Sequence, residues 1–122
     1  MKKLILLHVV IEICGGLALI FQPDILMLTE PMTVTTASVI KLFGVLVFTF
    51  GLASLLVYRS FEYSKKNRFW VLLFMGYHFI QSLQCYAMYN QEVMSNIGSF
   101  SLHLALAIFF MFTFMSEREK YD

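Results

Sequence analysis

The stretch Leu4-Ile-Leu-Leu-His8-Val-Val-Ile-Glu12-Ile-Cys14-Gly15-Gly16-Leu-Ala-Leu-Ile-Phe21 decides how the rest of the chain is read. It is an apolar run long enough to cross a bilayer. His8 and Glu12 interrupt it four residues apart, which puts them on one helix face. An ionisable side chain at such a depth costs several kcal/mol unless it is paired, so it marks a functional site by default. Gly15 and Gly16 follow one turn later, where they would let a second helix backbone come close.

Outward from this segment the composition agrees. Of 122 residues, 59% are hydrophobic and 14% charged, which places the chain in the membrane class. The length allows one domain. A net charge of +1, with no basic stripe interleaved with aromatics, carries no nucleic-acid signal. Cys14 and Cys85 match no zinc or redox spacing and read as buried thiols. The Met1-Lys2-Lys3 start imitates a signal peptide, but Glu12 breaks the apolar region and no small-residue cleavage site follows, so the segment reads as a retained helix.

Periodicity and punctuation predict an all-α, four-helix transmembrane bundle with helices over residues 4–21, 36–58, 69–89 and 97–115. Pro23 stops the first helix. Ile25-Leu26-Met27-Leu28 is too short to span and is expected in the interface or folded back on the bundle. Thr33, Thr35 and Thr36 offer caps for the second helix, and Ala37, Gly44 and Gly51 give it a small-residue stripe. The third helix is the most polar, with Tyr77, His78, Gln81, Ser82, Gln84 and Cys85.

Lys2, Lys3, Arg59, Lys65, Lys66, Arg68, Arg118 and Lys120 would all lie on one side of such a bundle, and the two other connections contain no Lys or Arg. The positive-inside rule then places both termini and the middle loop in the cytoplasm, in a multi-pass protein of the bacterial inner membrane. At ~1.5 Å per residue, Glu12 lies about 13 Å in from Lys3, near the midplane of a ~30 Å core. His78 reaches a similar depth, and Lys41 and His103 fall in the outer third.

Each helix therefore supplies one ionisable group: Glu12, Lys41, His78 and His103. With Gln81 and Gln84 they form the expected ligand or proton pocket, open to the outer face. Lys41 is expected to reach inward to Glu12 and His78 as an ionised pair, against the alternative that its stem snorkels to the outer interface. His8 stands apart, nearer the cytoplasm, and reads as structural or interfacial. His78, His103 and Glu12 would make a His/His/carboxylate set, but no two histidines have a close helical spacing and the Lys41 charge would oppose a cation. No metal is expected. No nucleophile motif is present and no particular cofactor is implied, so catalysis is not the expectation.

With these residues in place the chain resembles the small four-helix DoxX-like membrane proteins. The resemblance rests on His8-x-x-x-Glu12 before Gly15-Gly16, the Gln22-Pro23-Asp24 exit, Lys41-Leu-Phe-Gly44 with Gly51-Leu-Ala, and single histidines in helices three and four. It implies the same architecture and, for some members, association with redox complexes. A second resemblance is to small multidrug resistance transporters, which have four helices and a glutamate midway along the first. They work as antiparallel dimers with little Lys/Arg bias, whereas the bias here is strong.

The functional expectation is an intramembrane pocket that binds a quinone or lipid-like molecule, or serves a membrane redox partner. A proton-coupled transporter centred on Glu12, and an accessory or scaffold subunit without chemistry, are the alternatives. Beyond the lipid bilayer, a homo-oligomer partner is compatible with either.

Overall fold

The computed structural model describes every residue except Met27, Asn96 and Asp122. Among the described residues the chain forms four helices: α1 over Lys2–Phe21, α2 over Val34–Arg59, α3 over Lys65–Asn90 and α4 over Gly98–Glu117. Short 3-10 turns cover Pro23–Leu26 and Arg118–Tyr121. The β-structure among the described residues is an isolated bridge between Leu28 and Met94. The all-α expectation holds.

The helix starts follow their caps. Thr33 Oγ1 accepts from Thr36 N–H at 3.1 Å and opens α2. Ser64 Oγ accepts from Asn67 N–H at 3.3 Å, so α3 begins four residues before the predicted Phe69. Asn67 is buried and donates through Nδ2 to Glu62 O, which fixes this polar first turn.

α1 and α2 meet backbone to backbone. A Cβ added to Gly16 would lie 2.5 Å from Phe48 N; one on Gly44 would lie 2.9 Å from Gly16 O. Gly51 is as close to Ile13, with 2.9 Å to its backbone nitrogen. The expected stripe thus works as a close-packing seam, with Gly16 as its counterpart on α1. Gly15 has no such neighbour.

An apolar core of Ile5, Val9, Val57, Val71, Phe74, Phe110 and Tyr121 fills the end of the bundle where α1 and α3 begin and α2 and α4 finish. The Met1 amine lies 3.0 Å from Glu117 Oε2 at this end. The basic side chains gather here too, with Lys2 over Tyr58, Arg68 over Phe114 and Lys120 over Tyr63. At the opposite end the 22–33 connection folds back on the bundle: Leu28 pairs with Met94, and Thr29 N–H donates to Val93 O at 3.2 Å. Met27 of the short apolar piece lies outside the described residues.

Three helical segments, Lys2–Phe21, Val34–Arg59 and Gly98–Tyr121, are long and apolar enough to cross a membrane. Exposed Val10, Leu17, Leu42, Leu46, Phe109 and Phe112 face outward from them. α3 is not among the three, because of its polar residues. Those are distributed unevenly: His78, Gln81 and Ser82 are buried, whereas Phe79, Ile80 and Leu83 are exposed.

Candidate functional site

Polar side chains from all four helices meet next to the apolar core. His8 and Glu12 come from one face of α1, Ser54 from α2, Tyr77 and His78 from α3 and His103 from α4. His8, His78, Ser54 and Glu12 are each at most 1% exposed.

Hydrogen bonds run through this group in a line. Ser54 Oγ–H donates to Phe50 O at 2.8 Å, so its lone pairs face His8 Nε2 at 2.9 Å. His8 Nε2 must then carry the hydrogen and donate it. In the neutral ring this leaves a lone pair on His8 Nδ1, which lies 2.9 Å from His78 Nε2. His78 Nε2–H donates to it, and His78 Nδ1 in turn accepts from His103 Nδ1–H at 2.9 Å. A single directional assignment satisfies Ser54, three imidazoles and a backbone carbonyl. Aromatic rings hold the line in place: Phe74 lies 4.5 Å from the His8 ring and Phe110 stacks on His78 at 5.9 Å.

Glu12 sits beside this line. Its Oε2 accepts from Tyr77 O–H at 2.8 Å, and Gln81 lies one turn further along α3. Its Oε1 is buried and has no hydrogen-bond partner among the described residues. It lies 3.7 Å from His8 Nδ1 and 4.0 Å from His78 Nδ1. A buried oxygen left unpaired costs roughly 1–3 kcal/mol.

A cavity of about 280 Å³ opens from the cluster toward the Pro23–Leu26 turn. Its polar lining is Glu12, Tyr77, Gln81, Ser99 and His103, with Cys85 at the side. Apolar side chains form the rest, and Ile25 and Leu26 reach it from the connection.

The sequence-derived site divides in the structure. Glu12, His78, Gln81 and His103 come together as expected. Lys41 does not join them. Ile40 and Gly44 take the inward positions on α2, and Lys41, beside Ile40, is exposed and makes no ion pair with Glu12 among the described residues. Gln84 is also exposed, since Gln81 and Ser82 take the inward face of α3. His8, expected to stand apart as a structural or interfacial residue, joins the cluster as the hub between Ser54 and His78. Cys14 is exposed, not buried; Cys85 is half-buried in the cavity wall.

Sequence reasoning also passed over Tyr77 and Ser54. The i,i+4 spacing of His8 and Glu12 was the available signal for His8, and adjacency to His78 for Tyr77. Nothing in the sequence singles out Ser54 among the hydroxyls of α2. A test of the Lys41 correction follows: Lys41→Met should change melting in detergent by no more than about 0.5 kcal/mol, and its effect should add to that of Glu12→Gln. Strong non-additivity in thermal melts of the double variant would restore the ion pair.

No protein-family model, curated protein or solved structure matches this chain, so its architecture and site stand on the residues themselves.

Proposed function

We propose that this is a four-crossing protein of the bacterial inner membrane whose interior cavity binds the head of a quinone or lipid-like molecule, in the manner of a DoxX-like protein serving a membrane redox complex. The observation that carries the reading is the cavity. Its wall is mostly apolar, with a few polar groups among the lining side chains, the usual composition of a small-molecule site. About 280 Å³ lies just below the usual range for such sites, which suits one ring or headgroup with its tail left in the bilayer. Glu12, Tyr77, Gln81 and His103 offer both donors and acceptors to the oxygens of such a head.

The membrane reading of α3 draws on its two faces. A spanning helix that carries His78, Gln81 and Ser82 must turn them inward, and these three are buried while Phe79, Ile80 and Leu83 face out. Orientation rests on charge. Of nine Lys and Arg residues, all but Lys41 belong to the end that carries Met1 and Tyr121, and that end is assigned to the cytoplasm.

Organic extraction of protein purified in mild detergent, followed by mass spectrometry, tests the binding reading. A quinone or a particular lipid should be retained at near-stoichiometric level. Gly15→Phe should remove most of it, since Gly15 lines the cavity and a Cβ there meets nothing within 4 Å. If nothing is retained, and neither a short-chain quinone nor phosphatidylglycerol binds on titration, the reading is wrong.

A further inference from the structure

The unpaired Glu12 oxygen and the two histidines beside it have a use that a cavity ligand does not require. We propose that His8, Glu12 and His78 form a binding site for one divalent first-row transition-metal ion, with His8 ligating through Nδ1, His78 through Nε2 and Glu12 through Oε1. One ligating atom from each side chain lies within 4.8 Å of the other two, and all three residues are buried. Metal bonds of about 2.0–2.2 Å set neighbouring tetrahedral ligands roughly 3.3–3.6 Å apart. The 2.9 Å between His8 Nδ1 and His78 Nε2 falls slightly short of that, and the 3.7 Å between His8 Nδ1 and Glu12 Oε1 slightly exceeds it. The ligating atoms lie within 4.8 Å of one another, so the Glu12 carboxylate must swing inward by up to about an ångström to close the set.

The surrounding contacts favour the same assignment. A metal-bound imidazole is normally oriented by a hydrogen bond from its other ring nitrogen, and a metal-bound carboxylate by one to its other oxygen. Each ligand here has such a partner: His8 Nε2–H donates to Ser54 Oγ, His78 Nδ1 faces His103 Nδ1, and Tyr77 O–H holds Glu12 Oε2. In the empty site one proton lies between His8 Nδ1 and His78 Nε2. When the metal takes its place, that proton moves to His78 Nδ1, which becomes the donor toward His103 Nδ1, and the His103 hydrogen shifts to its Nε2, so all three rings stay neutral. Both arguments against a metal fail on the fold. Lys41 is exposed and makes no ion pair with Glu12 among the described residues, and the second histidine comes from α1, one turn before Glu12. Two imidazoles and one carboxylate suit Fe, Co, Ni, Cu or Zn over Mg or Ca. Glu12 also lines the cavity, which supplies an entry path and a direction for an open coordination position.

The test is a Co²⁺ titration of tag-free protein stripped with EDTA, with no organic ligand added, so its outcome is separate from that of the extraction experiment. One equivalent should bind, giving visible ligand-field bands that Zn²⁺ bleaches and Mg²⁺ leaves alone. Glu12→Gln, nearly isosteric with the native side chain, should weaken binding by about 100-fold or more, as expected for a lost ligand. Ser54→Ala and Tyr77→Phe should each weaken it by about 10–100-fold with the bands unshifted, which a merely structural role would not do. Lys41→Met should have no effect. His78→Ala should abolish the bands; if it does not fold, Glu12→Gln and Ser54→Ala decide the matter. Absence of saturable bands, insensitivity to Glu12→Gln, or equal competition by Mg²⁺ would overturn the site.

Discussion

Gly16→Val is expected to abolish the compact fold in detergent, whereas Gly15→Ala, one residue earlier, should leave melting unchanged or slightly raised. The difference lies in what a new Cβ meets. At Gly16 it would lie 2.5 Å from Phe48 N and 2.7 Å from Phe48 Cα. These are backbone atoms of α2, so no side-chain rotation relieves the clash, and the two helices must separate. Separation also loosens the contacts at Gly44 and Gly51, where added carbons would stand 2.9 Å from Gly16 O and Ile13 N. Over-packing that side chains absorb costs about 1–3 kcal/mol, and here the backbone must absorb it. Against a total stability of roughly 5–15 kcal/mol, losing the α1–α2 seam is decisive. At Gly15 nothing lies within 4 Å, and alanine is the better helix former by roughly 1 kcal/mol. Circular-dichroism melts of both variants provide the check. A Gly16→Val protein that melts with the wild type would mean that α1 and α2 do not touch along this seam.

How far the sequence carried this reading depended on whether a feature was local. The close-packing glycines Gly16, Gly44 and Gly51 and the Pro23 stop are local and appear in the structure as the sequence implied, whereas Gly15, expected to join them, faces no neighbouring helix. The start of α3 at Lys65 was hidden by the same charges that suggested a loop. Lys65, Lys66 and Arg68 look like connection residues, yet Ser64 caps a helix that simply extends beyond the apolar region. Depth arithmetic put Glu12 and His78 at one level, correctly, but treated His8 as alone because it lies about 6 Å lower on α1. An imidazole on a facing helix spans that interval, and His78 lies within 4.0 Å of Glu12 while bonding His8. Lys41 failed for another reason. Depth says nothing about azimuth, and a long stem lets lysine satisfy its charge from an outward position.

His78→Leu should be the most damaging polar-to-apolar change in the bundle, costing about 2–3 kcal/mol in metal-free protein. Leucine approximates the imidazole in size, so little of the loss comes from a cavity. It comes from the two hydrogen bonds that end at His78, one to His8 Nδ1 and one to His103 Nδ1. Interhelical hydrogen bonds in membranes couple by about 0.6 kcal/mol on average and up to roughly 1.7, because the separated helices find other partners. Two such bonds, plus the cost of leaving His8 with an unpaired lone pair at 0% exposure, account for the estimate. His8 has no route to water, as Ile5, Phe74 and Phe110 close the end of the bundle beneath it. The double variant His8→Phe/His78→Leu should therefore lose less than the sum of its single changes, since it removes both partners of the central bond and strands neither. His103→Leu should be milder, because His103 is half-buried and faces the cavity, where solvent or ligand can replace the lost contact. Thermal melts of the four proteins in EDTA test the order. Additive losses for His8 and His78, or a His103 variant worse than His78→Leu, would show that the three imidazoles do not act as a line.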